Sequence, residues 1–485
     1  MVLQINDKKY QRQLQGIERW RTAYHLGISH TNGVGTLHWV TGMGKTFAAC
    51  DVANKILNRN NACTVYVIVP GDELEKQWKG AIKSFVPLNL QNNFTVITVH
   101  KAVDLLYVPE CTLVIYDEVH EYLTDERVKL LNGEKLKAKF KLGLTATWFD
   151  IHGRHKLIEG IIPVIDTIDE EEASREGYIS KYVEYNLGIN LTNEEYVKYR
   201  ELSNIINKHL NKFGKNALQA AGNCLSGANG YTGFQICSMF ASSKGWSSRM
   251  DLTDIKNQEI YEQWNPKVIM GYAARLMEAV KERKDVLYNA VNKITAAKEV
   301  VIKFNDLKTI CFSQSTNFAD RLCWTINQCE KLLNPQAKDI CVSYHSNIPT
   351  RIVYDEIKKK EVKKGKTVLK REAIEAIKSG KARVISTASS LDRGFDVKDI
   401  RLSITTSGTQ NPTQHIQRKG RATRVEDDAP DAIVLIINVY IKSSQDETWL
   451  RKRQSKSNNI VYWVDKVEDI NYIPKRTDVF NINEF

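Results

Sequence analysis

The stretch Thr41-Gly42-Met43-Gly44-Lys45-Thr46 follows a short apolar run, residues 36–40, and precedes a run compatible with a helix, residues 47–57. A strand, a glycine-rich turn and a helix form the context of a phosphate-binding loop, because glycines let backbone N–H groups approach the phosphates. In this context we expect Lys45 to reach the β- and γ-phosphates and the hydroxyl of Thr46 to ligate magnesium. The first glycine of the usual pattern is replaced by Trp39, so a turn that only caps a helix is the alternative interpretation.

A second stretch, Leu113-Val114-Ile115-Tyr116-Asp117-Glu118-Val119-His120, is an apolar strand that ends in two acids. The carboxyl end of a strand is where a parallel α/β sheet binds its ligand. We therefore expect Asp117 to hold a magnesium ion and Glu118 to be the general base that polarises the attacking water. A solvated turn after a strand is the alternative, but the order of the two stretches favours a nucleotide site.

The rest of the chain repeats the alternation of short apolar runs and helical spacers. Runs rich in β-branched residues lie at 64–70 and 94–99, and the pattern returns from residue 309 onward. Such alternation predicts an α/β fold with two parallel-sheet domains in tandem. Between them, long periodic segments predict helices on either side of a stretch rich in Gly, Ser and Asn, 221–246, which predicts a loop. We expect a first domain at 1–185, a helical insert at 186–303, a second domain at 304–445 and a basic C-terminal tail at 446–485.

Composition narrows the functional classes. The chain has 485 residues and a formal net charge of +12, which favours a polyanionic partner such as nucleic acid. No apolar run approaches the ~18 residues of a membrane-spanning helix, and the N-terminus lacks the pattern of a secretory signal. The nine cysteines are scattered without the paired spacing of a zinc site, as expected for reduced thiols. We therefore expect no membrane partner and a cytoplasmic location.

Taken together, the motifs of this sequence resemble those of the superfamily 2 helicases of the DEAD/DEAH type. Asp117-Glu118-Val119-His120 resembles their DEx[HD] box, and Leu144-Thr145-Ala146-Thr147 resembles their S/T-A-T motif. Gln417-Arg418-Lys419-Gly420-Arg421-Ala422-Thr423-Arg424 is similar to their QRxGRxxR motif, and Tyr10-Gln11 to the upstream glutamine motif. Further resemblances, in family order, are Val69-Pro70, Thr98-Val99-His100, Phe312-Ser313-Gln314-Ser315, Ser386-Thr387-Ala388 and Asp392-Arg393-Gly394-Phe395-Asp396.

The resemblance implies two RecA-like domains with ATP and Mg²⁺ in the cleft between them. It implies that Glu118 is the base, that Gln417 orients the water, and that Arg421 and Arg424 are arginine fingers. The implied ATP-binding residues are Gln11, which would read adenine, Thr41, Gly42, Met43, Gly44, Lys45, Thr46, Asp117, Gly394 and Asp396, with Thr46 and Asp117 also holding the metal. The implied nucleic-acid contacts are Pro70, His100, Thr145, Thr147, Trp148, Ser315 and Thr387; for Trp148 a position in the core is the alternative.

The same resemblance favours DNA over RNA as the partner. A DEVH box in place of DEAD, the helical insert and the QRKGRATR motif are similar to recombination, repair and restriction helicases, in particular UvsW-like phage branch-migration helicases and XPB-like DNA helicase cores. We expect an ATP-dependent helicase or translocase that acts, as a monomer, on branched or duplex DNA in recombination, repair or replication-fork processing. The alternatives are an RNA helicase, the motor subunit of a restriction or defence complex, and a non-catalytic clamp that binds ATP only as a switch. The presence of Lys45, Glu118, Arg421 and Arg424 disfavours the clamp.

A lysine-rich stretch at 351–371 carries nine positive and three negative side chains. One interpretation is an accessory contact to the phosphate backbone, and the other is a solvated basic surface. The sequence supports the two interpretations equally.

Overall fold

The computed structural model of the protein describes residues 7–22, 32–148, 153–214, 216–246, 253–355, 360–388, 397, 399–408, 412–423, 432–454 and 460–473. The chain divides into two compact units, one made of Met1–Gly188 with Ala297–Phe485 and the other of Ile189–Ala296. None of the described helices combines the length and apolar character that crossing a bilayer requires.

A six-stranded parallel sheet, in the order β3-β2-β4-β5-β1-β6, forms the first α/β domain of the larger unit. Its strands are β1 (Val34–Trp39), β2 (Val65–Val69), β3 (Phe94–Thr98), β4 (Glu110–Asp117), β5 (Lys137–Thr145) and β6 (Val164–Ile168). Its helices are α1 (Asp7–Thr22), α2 (Lys45–Arg59), α3 (Asp72–Phe85), α4 (Val99–Val103), α5 (Asp125–Leu131), α6 (Lys156–Glu159) and α7 (Glu170–Arg175).

Both faces of this first sheet are buried, which explains its continuous apolar runs. Along β2, Val65, Val67 and Val69 pack into one apolar cluster, whereas Ile68 packs into another. The register pairs Asp117 with Leu144 and His38 with Thr145, so the carboxyl ends of β4, β5 and β1 meet at one edge.

The smaller unit, Ile189–Ala296, is helical. Its helices are α8 (Asn193–Phe213), α9 (Ala217–Ser226), α10 (Gly233–Ser243), α11 (Ile255–Trp264), α12 (Pro266–Tyr288) and the first part of α13 (Val291–Lys303). A capping box starts α8, because Thr192 and Glu195 each accept the other's backbone N–H. The loop predicted for 221–246 is wrong, because the end of α9 and the whole of α10 together occupy most of it. Gly233 lets α10 pack tightly on α9, since an added Cβ would lie 2.3 Å from the Cys224 carbonyl oxygen.

A seven-stranded sheet, in the order β15-β7-β14-β13-β8-β12-β9, forms the second α/β domain of the larger unit. Its strands are β7 (Tyr182–Ile189), β8 (Thr309–Ser313), β9 (Cys341–His345), β12 (Val384–Ala388), β13 (Leu402–Thr405), β14 (Val434–Ile441) and β15 (Val461–Val464). A separate antiparallel hairpin consists of β10 (Arg351–Asp355) and β11 (Lys360–Lys364). The helices are α14 (Thr316–Leu333), α15 (Lys366–Lys378), α16 (Pro412–Ala422) and α17 (Gln445–Gln454).

The two parallel-sheet domains in tandem that the sequence predicts are confirmed. Their borders follow strand pairing rather than composition. The border expected at residue 185 falls inside β7, which belongs to the second sheet. Likewise, the segment expected as a basic tail contributes β15, which pairs in parallel with β7 through Val461 and Glu184. Pairing between strands that are distant along the chain leaves no local pattern in the sequence. Both predicted borders therefore differ from those in the structure.

Candidate nucleotide site

The loop between β1 and α2 has the backbone that phosphate binding requires. Gly42 and Gly44 have φ values of 92° and 84°, in the left-handed region that favours glycine. Gly44 is also the N-cap of α2 and has no side chain that could cap the helix, so the positive end of the helix dipole faces the loop. Lys45 begins α2, and its Nζ donates to the Trp39 carbonyl at 2.8 Å. This geometry agrees with a phosphate-binding loop.

Trp39, the departure from the usual pattern, is a core residue of the first domain. Its side chain is fully buried, and its Nε1 donates to Oδ2 of Asp166 at 2.6 Å. Asp166 also pairs with Arg12 at 2.8 Å and with Arg19. The indole therefore packs against α1 and β6, so the loop tolerates a large residue at this position.

The glutamine that contacts the loop is Gln13 and not Gln11. Gln11 is exposed, whereas Gln13 is buried and its Nε2 donates to the Met43 carbonyl at 2.7 Å. The helical spacing of α1 could have predicted that Gln13 is buried. Gln13, Gly16 and Ile17 are spaced at i, i+3 and i+4 on one face of the helix, and all three are buried. Gln11 lies two positions away, on a different face of α1. Sequence reasoning chose Gln11 because it follows Tyr10 in the expected dipeptide.

Asp117 and Glu118 lie at the end of β4, as expected. Burial, together with the nearby Glu118 carboxylate, raises the pKa of Asp117 to about 7. Two donors hold its carboxyl group, the Trp78 Nε1 at 2.8 Å and the Glu118 backbone N–H at 3.1 Å. Glu118 itself has a φ of 49°, which is uncommon for a side chain of this size and is typical of functional turns.

The environment of Asp117 suits a divalent cation. Its carboxyl is buried in a position that disfavours the negative charge, and a bound cation reverses that penalty. The Thr46 hydroxyl belongs to the first turn of α2 and is half-buried. The donor set of a carboxylate and a hydroxyl is the oxygen chemistry that Mg²⁺ prefers.

His120 lies between Glu118 and the end of β5. Nδ1 of His120 lies 3.3 Å from Oε2 of Glu118 and 2.9 Å from Oγ1 of Thr145. The same nitrogen lies 3.3 Å from Oγ1 of Thr147, and the Thr145 hydroxyl donates to the Thr147 carbonyl at 2.7 Å. The side chains of Thr145 and Thr147 are therefore buried and contact His120, and their contact with nucleic acid stays a prediction.

The other predicted nucleic-acid contacts divide by exposure. Trp148 is only 7% exposed and packs in the second apolar cluster of the first domain, so the core alternative is correct for this residue. Pro70 and Thr387 are buried as well, and the Ser315 hydroxyl caps α14 by accepting from the Phe318 N–H at 3.2 Å. His100 is the exposed member of the set.

Helix α16 of the second domain carries the QRKGRATR motif to the phosphate loop. An added Cβ at Gly420 would lie 2.2 Å from Cβ of Thr41, so only glycine permits this approach. Arg418 is buried and anchors the helix, donating to the Ser407 carbonyl at 2.8 Å. Gln417 is half-buried and lies about one helical turn before Gly420. The side chain of Arg421 and the residues Gly394, Asp396 and Arg424 lie outside the described part of the chain.

Comparison with known proteins agrees with this arrangement. Residues 5–150 match the family described as "Type III restriction enzyme, res subunit", and residues 292–426 match "Helicase conserved C-terminal domain". The two matches together cover more than half of the chain. The protein "DNA 3'-5' translocase XPB2" of Sulfurisphaera tokodaii is 25% identical over 426 residues, which are 85% of this chain and 79% of the relative.

Two solved structures align with most of this chain. S. cerevisiae Dbp5 bound to RNA and ADP BeF3 has a TM-score of 0.51 at 12% identity, with 96% of this chain and 93% of that chain covered. The Pyrococcus furiosus Hef helicase domain has a TM-score of 0.48 at 14% identity, with 91% and 97% covered. With the phosphate loop, the DEVH strand and the QRKGRATR helix in place, the chain belongs to the superfamily 2 helicases and is an ATP-hydrolysing enzyme of that class.

Proposed function

We propose that the protein is an ATP-dependent translocase or helicase that acts on branched or duplex DNA. The observation that carries the proposal is the contact between Gly420 of α16 and Thr41 of the phosphate loop. It brings the arginine-bearing helix of one RecA-like domain to the nucleotide loop of the other. Such an arrangement couples domain closure to ATP hydrolysis, because charge that develops on the γ-phosphate interacts with both domains.

Each motif has a role in this proposal. Lys45 and the N–H groups of the loop bind the phosphates, and Gln13, which replaces Gln11 in this role, reads the adenine. Thr46 and Asp117 would hold Mg²⁺, which would supply neutralisation of charge on the phosphates. Glu118 accepts a proton from the attacking water, and Gln417 positions that water. Arg421 and Arg424 stabilise the charge of the transition state, an effect of about 10³–10⁵ in rate.

His120 connects Glu118 of the nucleotide site to the Thr145–Thr147 turn at the end of β5. Its ring contacts both Glu118 and the hydroxyls at the end of β5, so a change in the position of Glu118 alters the Thr145–Thr147 turn. We assign this turn to coupling between nucleotide state and nucleic acid, and not to direct contact.

DNA is proposed as the partner on two grounds. The relative XPB2 is named a DNA translocase, and the chain has a formal net charge of +12. A backbone-tracking motor depends on cationic contacts to phosphate and has little need of base-specific contacts.

ATP turnover measured with and without nucleic acid tests the proposal. The wild type is compared in the presence of single-stranded DNA, duplex DNA, a four-way junction and single-stranded RNA, with Lys45→Ala as the inactive reference. We expect stimulation by duplex or junction DNA well above that by RNA. Greater stimulation by RNA would establish the RNA helicase alternative, and equal rates in all reactions would remove the translocase assignment.

A further inference from the structure

Lys419 is the member of the QRKGRATR motif to which the nucleotide chemistry gives no role, and its side chain is only 5% exposed. Its Nζ lies 2.7 Å from Oε1 of Glu170 and 2.9 Å from Oε2 of Glu184. The ammonium group also lies 4.2 Å from the centroid of the Tyr182 ring. A buried ammonium group is stable only where carboxylates compensate it, so these two partners decide where α16 can sit.

Glu184 is a fixed partner within the second domain. It lies on β7, in the same sheet as β14, and accepts from Asn438 of β14 at 2.9 Å and from Gln454 at 2.7 Å. Burial opposes its charge, but the charges of Lys419 and His415, and the hydrogen bonds that these two side chains make to the carboxylate, hold the pKa of Glu184 well below its ordinary value. The Glu184–Lys419 pair therefore stays ionised and belongs to one domain.

Glu170, by contrast, belongs to the first domain. It begins α7, directly after β6, and α7 is anchored to α1 by the ion pair between Arg12 Nε and Glu172 Oε1 at 2.7 Å. Ala173 of the same helix is fully buried in the first-domain core. The bond from Lys419 to Glu170 thus crosses from the second domain to the first. A backbone bond runs beside it, from the Ser180 N–H to the Thr423 carbonyl at 2.9 Å.

We propose that Glu170 and Lys419 form an interdomain ion pair that favours the closed arrangement of the two RecA-like domains and so positions α16 on the phosphate loop. The proposal rests on the function proposed above and adds a positioning pair to it. When the cleft opens, Lys419 keeps its ion pair with Glu184 and loses the one with Glu170. The Glu170 carboxylate, already 22% exposed, then becomes fully solvated. An interaction made in only one of two states shifts the equilibrium toward that state.

Glu170→Gln tests the pair, because it removes the charge, keeps the shape and leaves Glu184 to compensate Lys419. Glu171→Gln is the matched control: Glu171 is exposed and lies in the same first turn of α7, so both variants lose the same favourable interaction with the helix N-terminus. A charge-assisted hydrogen bond at a partly exposed site corresponds to about a tenfold change in the closing equilibrium. We expect kcat/KM for ATP to fall about tenfold in Glu170→Gln and to stay within about twofold of wild type in Glu171→Gln.

A binding readout separates positioning from mere stability. In the Glu118→Gln background, which binds ATP without turning it over, adding Glu170→Gln should weaken ATP affinity about tenfold, while the thermal unfolding midpoint stays near that of Glu171→Gln. Equal ATP affinity and equal kcat/KM in the two Gln variants would refute the proposal that the Glu170–Lys419 ion pair favours the closed arrangement. A lower unfolding midpoint in Glu170→Gln with unchanged affinity would also overturn it, since the role would then be structural. Failure of DNA to stimulate the wild type would count against the proposed function alone, because the affinity comparison does not use DNA.

Discussion

Replacing Asp117 by Asn is expected to change how the stability of the protein without nucleotide or Mg²⁺ depends on pH. Burial, together with the Glu118 carboxylate, raises the pKa of Asp117 from 3.8 to about 7. Asn has nearly the same shape and no charge, so Asp117→Asn removes this titration. It keeps an acceptor for the Trp78 Nε1, which now donates to Oδ2 of Asp117 at 2.8 Å.

The sign and the size of the effect follow from the raised pKa. The folded protein holds the proton of Asp117 more tightly than the unfolded chain, so this group stabilises the fold fully below about pH 4. That contribution is lost as pH rises through the folded-state pKa of about 7. At ~1.4 kcal/mol per pH unit, the difference from the ordinary value amounts to at most roughly 4 kcal/mol.

The variant also loses one hydrogen bond. The Glu118 backbone N–H, which donates to Oδ1 of Asp117 at 3.1 Å, meets an amide NH₂ group in its place. That loss costs about 1 kcal/mol. Asp117→Asn should therefore be less stable than the wild type by about 1 kcal/mol near pH 4, and more stable by up to roughly 3 kcal/mol near pH 8.

Urea unfolding of the two proteins across this pH range, with a chelator present, measures the difference. Asp125→Asn, at an exposed position on α5, is the control for loss of a carboxyl group as such. Adding Mg²⁺ near pH 8 should then raise the urea midpoint of the wild type and leave that of Asp117→Asn unchanged, because the ligand stabilises only the state that binds it. Parallel pH profiles for wild type and Asp117→Asn would refute the reasoning, since Asp117 would then not titrate in this range.

Three further outcomes test other parts of the site. Glu118→Gln should abolish ATP turnover and retain ATP binding measured at equilibrium, and a wild-type rate would remove Glu118 as the base. Gln13→Ala should reduce the preference for ATP over GTP in kcat/KM by about tenfold, whereas Gln11→Ala should leave it unchanged; the reverse result would restore Gln11. Replacing the exposed Lys360 and Lys363 of the β10–β11 hairpin by Ala should make the salt dependence of DNA affinity shallower and leave basal ATP turnover intact, while identical titrations would mean a solvated basic surface.

The β10–β11 hairpin offers fewer lysines for phosphate contact than the sequence alone suggests. The lysine-rich stretch contains five lysines between residues 358 and 364, and the sequence supports an accessory phosphate contact and a solvated basic surface equally. In the structure, Lys364 pairs with Glu372 at 2.7 Å, so part of the positive charge is already compensated. Lys360 and Lys363 lie exposed on β11 and remain the described candidates for a contact with phosphate.

Sequence by itself determined the features that depend on local physics. Continuous apolar runs indicated strands buried on both faces, because a strand covered on one face only would alternate with polar residues. Gly42 and Gly44 indicated a loop whose backbone can approach phosphate groups, and in the structure both have a left-handed backbone that other residues rarely adopt. The acids at the end of the run 113–118 indicated the ligand-binding edge, because parallel strands present their carboxyl ends together. The helical spacing that buries Gln13 is also present in the sequence, although the dipeptide Tyr10-Gln11 points to Gln11 instead.

Only the tertiary structure decided which distant residues meet. Thr145 and Thr147 point to His120 because β4 and β5 are neighbours in the sheet, and no local pattern records that pairing. Strand pairing places β7 and β15 in the second sheet, although the predicted borders cut through β7 at residue 185 and excluded β15 from the domain at residue 445. Lys419 lies between Glu170 and Glu184 because α16 packs where the two domains meet, an arrangement fixed by contacts between segments more than two hundred residues apart. A residue's neighbours along the chain set its backbone conformation, but its chemistry is set by the groups that folding brings to it.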